Sequence, residues 1–233
     1  MIKKEVLDLV DVKNADFKDI FSLCIGNMYI IQKRFIDYIG TYGRWNTSVK
    51  EGMLMLDDKK YDVEFIGTTS TADNYWFSSE LEQVIPDEYV NIMIQTRKIL
   101  QAVGIDSLAQ GKILLDDEKT GYNLSMIYLA FAPVEAAYFN GSGDTSIYMF
   151  VKNLPQDIFK KMNSIEFVNS MMEIIGTFNV NHKLLIKAVL IQNGIEYVEE
   201  GNDILAKFNE KSVISVQFDG SERITKINGN LSL

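Results

Sequence analysis

The chain has a single cysteine, Cys24, among its 233 residues. That excludes any disulfide within the chain and any zinc site built on several thiolates, and it agrees with a reducing compartment. A single histidine, His182, removes the His-rich metal motifs: neither His-Glu-x-x-His nor Glu-x-x-His occurs. No uninterrupted apolar run approaches the ~18 residues that a membrane-spanning helix needs. At the start, MIKKEVLDLVDVKNADF, two lysines are followed by acids alternating with aliphatics rather than by the apolar stretch of a signal peptide. The expectation is a cytoplasmic protein. Cations are also scarce: 23 Lys and Arg stand against 32 Asp and Glu, giving a net charge of −9 and a pI near 4.7. That balance disfavours nucleic acid and anionic membranes and suits solubility or a basic protein partner. What is present is apolar material, 47% of residues, enough for a real core in one large domain or two small ones.

Apolar spacing then organises the chain. Phe17, Phe21, Cys24, Met28, Ile31, Phe35 and Tyr38 recur at steps of four and three, which predicts a helix over 17–39. Asp16 is placed as its N-cap and Gly40 as its stop. Short alternating segments follow at 44–49, 52–56, 61–68 and 74–80, the pattern of half-buried strands. The tetrapeptide Asp57-Asp58-Lys59-Lys60 stands where a hairpin turn belongs. Pro86 is expected to open a second helix that Gly104 ends. A looser stretch over 105–115 leads to a third helix over 117–131, broken by Pro133. Residues 134–152 read as a hairpin turning at Asn140-Gly141-Ser142-Gly143-Asp144. The two glycines do not make a phosphate loop, because no Lys-Ser/Thr and no helix follow them.

Two helices, over 155–175 and 181–192, precede strands at 195–199, 204–208, 213–218 and 223–227. Helix followed by four strands therefore occurs twice. Strands in blocks and hairpins, rather than strict alternation with helices, argue for an α+β fold of antiparallel curved sheets packed with amphipathic helices. Residues 1–110 are expected to hold a helix, a four-strand sheet and a packing helix. Residues 111–233 would hold the remaining helices, the hairpin and the final meander.

Catalytic signals are sparse. No nucleophile motif accompanies His182, which starts a helix and suits a surface or capping role. Cys24 lies in the apolar stripe of the first helix, where a thiol is inert. Adjacent acids such as Asp116-Asp117-Glu118 fit solvated turns better than a glycosidase pair, which needs carboxyls facing across a cleft. No cofactor and no metal is implied.

Gly40, Trp45, Gly67, Trp76 and Pro86, with Arg97 and Gly104 in the following helix, form a pattern of Gly-turn, aromatic strand and Pro-opened helix. In this the chain resembles an uncharacterised bacterial family, a domain of unknown function whose members carry several tryptophans where this chain has Tyr75-Trp76-Phe77. The resemblance implies a cytosolic bacterial protein and transfers no reaction. The aromatic triplet itself predicts a strand with Trp76 on one face and Tyr75 and Phe77 on the other. Two functional expectations result. One is a non-catalytic interaction protein, of immunity or regulatory type, with a basic protein partner. The alternative is a small-molecule binder or cryptic hydrolase whose pocket, in a curved sheet, is lined by Trp45, Tyr61, Phe65 and Trp76.

Overall fold

The structure is a computed structural model and describes residues 1–70, 74–143, 145–208 and 212–229. The described residues form six α-helices and eleven strands, every strand pairing antiparallel. The chain divides into two compact units. One comprises Met1 and residues 31–159, the other residues 2–30 and 160–233. The division falls inside the first long helix and again after Phe159, whereas the sequence suggested a cut near residue 110. Residue 110 lies instead between elements of a single sheet.

Helix α1 (Lys4–Leu7) is one turn long; α2 (Phe17–Ile39) has the predicted bounds. The Asp16 carboxylate accepts the backbone N–H of Asp19 at 2.8 Å, and Gly40 leaves the helix with φ +67°.

The unit 31–159 is built on a seven-stranded sheet of β1 (Trp45–Ser48), β2 (Met53–Leu56), β3 (Lys59–Ser70), β4 (Tyr75–Ser78), β5 (Lys112–Leu114), β6 (Ala137–Gly141) and β7 (Thr145–Val151). The centre is the twelve-residue β3. It pairs with β2 through its first four residues, with β4 through its last four, and with β7 from Val63 onward. The expected turn after β2 is present, and Asp57 takes a positive φ of 51° there. The expected hairpin is formed by β6 and β7, with Asn140 and Gly141 in the strand rather than the turn; Asp144 lies outside the described residues.

Phe65 pairs with Met149 but Gly67 with Tyr148, so Ile66 is an extra residue, a β-bulge that reverses which side chains face which way. One face then presents Leu54, Leu56, Tyr61, Val63, Phe65, Phe139, Met149 and Val151, and closes over Phe35 and Ile39 of α2. The other face lies under α3 (Asn91–Val103) and α4 (Gly121–Phe131), the latter buried along nearly its whole length. Because both faces are covered, β3 is not the half-buried strand expected. Glu64 and Ile66, placed on a solvent side by alternation, are both buried.

Two helix starts also differ. Pro86 leads into a single 3₁₀ turn, Asp87–Tyr89, and α3 proper begins at Asn91. The reason is a tertiary cap: the Glu64 carboxylate accepts the N–H of Ile92 at 2.7 Å. Likewise α4 begins at Gly121, where the Thr120 hydroxyl accepts the N–H of Asn123. Gly104 ends α3 as expected, at φ 90° in the left-handed region where glycine carries no Cβ penalty. The strand β5 was hidden in the loose stretch because three residues carry no periodicity.

The other unit packs the first part of α2 with α5 (Ser164–Thr177), α6 (His182–Asn193) and a four-stranded sheet, β8 (Glu196–Glu200), β9 (Asp203–Lys207), β10 (Val213–Phe218) and β11 (Ile224–Gly229), in the order β11-β10-β9-β8. Helix α5 starts at Ser164 rather than 155. Asn163 and Glu166 form a reciprocal capping box there, and Pro155 opens only a 3₁₀ turn. The strands of the meander follow the sequence expectation closely; Asn209, Glu210 and Lys211, which the sequence reads as a turn, lie outside the described residues. Ile204, Ala206, Ile214, Val216 and Phe218 form its buried face. In α2, Gly26 lets Val189 of α6 approach so closely that an added Cβ would meet the valine methyl at 2.0 Å.

Candidate functional site

The four aromatics singled out from the sequence do not share one hollow. Tyr61 and Phe65 belong to the core cluster on the α2 side of the sheet. Trp45 packs its ring 5.9 Å from Phe139, on that same side, and remains 36% exposed. Trp76 is on the opposite face, 0% exposed, with ring centroids 5.5 Å from Tyr128 and 5.1 Å from Tyr148. The register explains the separation: Trp76 pairs with Thr69, which lies beyond the bulge. Gly67 lies directly beneath the indole, and a Cβ there would meet the Trp76 ring at 2.4 Å and the carbonyl oxygen of Phe77 at 2.5 Å. Tyr75 and Phe77 point the other way, half-exposed, with the Lys112 ammonium 4.0 Å and 5.1 Å from their ring centres. Trp76 is therefore core, whereas its two neighbours are half-exposed beside Lys112.

Sequence reasoning missed the tyrosines. Tyr138 and Tyr148 stack at 6.0 Å, Tyr122 meets Tyr138 edge-on at 5.7 Å, and Tyr148 exchanges a 3.3 Å hydroxyl contact with Thr69. Burial pushes the Tyr128 and Tyr138 hydroxyls well above the ordinary phenol range. Within this layer three buried polar atoms have no hydrogen-bond partner among the described residues: Trp76 Nε1, Ser78 Oγ and Asn140 Oδ1. Unmet buried donors and acceptors are unusual and mark a strained spot or a place for a small polar guest.

Around the layer sit two ionic clamps. Glu64, only 6% exposed, binds the Lys152 ammonium at 2.9 Å as well as the start of α3. Arg97, half-buried, pairs with Glu80, and its Nε donates to the carbonyl of Ala109 at 2.7 Å. Burial lowers the Arg97 pKa from its usual value. Arg97 thus ties α3 to the turn after β4 and to the loop that precedes β5.

In the unit 2–30 and 160–233, Cys24 is buried, and desolvation drives its thiol far above the usual range. His182 opens α6, but the helix cap is its neighbour: Asn181 Oδ1 accepts the N–H of Leu184 at 3.2 Å. His182 Nδ1 instead accepts the N–H of Ile224 at 3.1 Å. A cleft of about 230 Å³ opens beside it, lined by Lys18, Asn181, Ser221, Arg223 and others. A neighbouring cleft of about 250 Å³ includes Asp19, Lys183, Lys187 and Glu199. Among the described residues no group of three or more His, Cys, Asp and Glu is arranged to hold a metal ion, and no helix is long and apolar enough to cross a membrane.

The outer face of the C-terminal sheet is open to solvent. Register places Val198 beside Leu205, and Leu205 beside Ser215, with Val213 on the same side. Val198 is 55% and Val213 44% exposed. Glu196, Glu200 and Asp203 share this face, alongside Lys207.

These features define an α+β protein with two antiparallel sheets. One sheet is covered on both faces along β3 around an aromatic layer; the other is open on one. The chain belongs to a family of unknown function, DUF6882, whose model matches residues 18–154. That span takes in the aromatic layer and both clamps. No curated protein and no solved structure matches the chain.

Proposed function

We propose that the protein is a non-catalytic interaction protein of the bacterial cytoplasm, of immunity or regulatory type, that captures a basic protein partner on the outer face of its C-terminal sheet. The observation that carries this reading is the composition of that face: Val198 and Val213 exposed and Leu205 half-buried, beside Glu196, Glu200 and Asp203, with Lys207 opposite Glu196. An apolar centre edged by three acids, with Lys207 and Lys226 among them, gives burial for affinity and charge for partner choice. The net charge of −9 extends the same field over the molecule and speeds capture of a cation-rich surface. Conversely, the groups with nucleophilic or acid–base potential in the interior, Cys24, Tyr128 and Tyr138, are held protonated by burial.

The test is affinity capture from the producing cell with the wild type and with a Val198→Lys/Glu200→Lys variant. Both side chains are exposed, so the variant keeps its fold. The expected result is one basic protein retained by the wild type, lost by the variant, and bound less tightly as salt rises. Equal capture by both proteins would refute the reading.

A second reading, a small-molecule binder, draws on the unpartnered Trp76 Nε1, Ser78 Oγ and Asn140 Oδ1 inside the aromatic layer. Its site would be the Trp76, Tyr138 and Tyr148 face rather than a hollow shared by Trp45, Tyr61, Phe65 and Trp76. Native mass spectrometry of freshly purified protein checks it: a co-purifying small molecule, absent after Trp76→Phe, is the outcome it requires.

A further inference from the structure

The cleft beside His182 gathers positive charge in a protein that has little to spare. Lys18 reaches it from α2, and Arg223 from the turn before β11. Neither ammonium nor guanidinium has a carboxylate within ion-pairing distance among the described residues. The contrast with the adjoining cleft is informative. There, Lys187 lies 2.8 Å from Glu199, and Lys183 lies 3.5 Å from Glu199 and 3.9 Å from Glu222. Those cations are already in ion pairs, whereas Lys18 and Arg223 feel their acidic neighbours, Asp19 and Asp219, only beyond ion-pairing distance.

His182 adds a directed donor. Its Nδ1 accepts the Ile224 N–H, so the ring is the neutral tautomer with its proton on Nε2. Partial burial, then repulsion from Arg223 and Lys18, lowers its pKa, while Asp219 opposes them. Two acids stand at the rim. Glu222 leans toward Lys183, and the Asp219 carboxylate is occupied by the backbone N–H groups of Ser221 and Arg223 at 2.8 and 2.9 Å. Asp19, which follows Lys18, has its pKa raised by partial burial and by Asp16, while Asn181 and Lys18 act the other way.

We propose that the cleft formed by Lys18, His182 and Arg223 binds the phosphate group of a small phosphorylated ligand. Two cations outside any close ion pair and one N–H donor suit a dianionic oxyanion better than a carboxylate, which carries one charge. The Asn181 and Ser221 side chains, also in the lining, suit a hydroxylated ligand body. The volume, about 230 Å³, lies below the ~300–1,000 Å³ of pockets that enclose drug-sized ligands, so it fits a phosphate with a few attached atoms.

The experiment exploits the single histidine. The imidazole Cε1–H resonance of His182 is followed by NMR in the full chain while inorganic phosphate, ribose 5-phosphate or chloride is added at matched ionic strength. The expected result is a saturable shift with both phosphates and none with chloride, and a His182 pKa that rises when the site is filled. Tighter binding of the ester assigns the site to a phosphorylated metabolite; equal binding assigns it to the phosphate group alone. Lys18→Gln and Arg223→Gln are each expected to weaken binding by about tenfold or more, with melting curves that overlay the wild type. A shift that chloride reproduces, or wild-type affinity in both variants, would overturn the proposal.

Discussion

Replacing Trp76 with alanine tests the central packing statement most directly. The indole is fully buried between Tyr128 and Tyr148 and rests on Gly67. Removing it deletes the transfer free energy of a large ring and leaves a cavity that β3 and α4 can only partly close, a change that costs about 3–5 kcal/mol. Against a typical domain stability of roughly 5–15 kcal/mol, and at about 2–4 °C per kcal/mol for a chain of this size, the melting temperature should fall by roughly 6–20 °C. Trp76→Phe separates packing from polarity. It keeps most of the ring but removes Nε1–H, a buried donor with no partner among the described residues. An unmet buried donor costs about 1–3 kcal/mol, so its loss offsets much of the lost volume. The net cost of Trp76→Phe should stay within about 1 kcal/mol by the same bookkeeping. Circular dichroism melts and urea titrations of the three proteins provide the comparison. A Trp76→Ala protein that melts with the wild type would refute the core assignment. A Trp76→Phe protein as damaged as the alanine variant would show that Nε1 donates to a guest, and would favour the small-molecule reading.

Glu64→Gln keeps the side chain's shape but removes the charge that holds Lys152 and the first turn of α3. A loss of about 2 kcal/mol is expected in urea denaturation, because a half-buried ammonium is left without its counter-ion. Gly67→Ala drives a methyl into the Trp76 ring and the Phe77 carbonyl. The expected overpacking cost is about 1–3 kcal/mol, and Gly67→Ala/Trp76→Phe should recover part of it in a double-mutant cycle. Glu199 is held below its ordinary pKa of 4.5, first by the hydrogen bond from Lys187 and then by the charges of Lys187 and Lys183. Its contribution is therefore complete above the ordinary carboxylate range and is lost as pH falls through the lowered value. Lys187 is raised by the same bond, so its share persists below its ordinary 10.5 and is lost only as pH rises through the raised value. Glu199→Gln should accordingly flatten the acid side of a stability–pH curve by a small amount, since the carboxylate is more than a third exposed.

Much of the fold was legible because its signals are local. The stripe from Phe17 to Tyr38 sets α2 residue for residue, and alternation with turn residues marks β1–β4 and β8–β11. Two of the slips came from a distant residue or a neighbouring element. Pro86 carries a local helix-start signal, yet α3 waits for Glu64, which is 28 positions from Ile92. Likewise β3 looks half-exposed by alternation, but Ile66 bulges out of register, and α3 and α4 cover the face that alternation assigned to water. A bulge has no compositional mark here: the residue it inserts is an ordinary isoleucine in an ordinary strand.

The same distinction governs the candidate sites. Trp76 drew notice because it sits in a run of three aromatics, and strand alternation correctly separated it from Tyr75 and Phe77. Its true neighbours come from elsewhere: Tyr128 from α4, Tyr148 from β7 and Gly67 from β3. Only the pairing of Gly67 with both Ser78 and Tyr148 brings them into one layer. Trp45 looked like a companion because both tryptophans lie on early strands, but the sheet holds them on opposite faces. The cleft at His182 was less legible still. Lys18 and Arg223 are 205 positions apart, and each alone reads as an ordinary surface cation. What joins them is the hydrogen bond from Ile224 to His182, which docks the turn before β11 against the start of α6. Lys18 and Arg223 meet in one cleft beside the His182 ring, where a dianion would engage both.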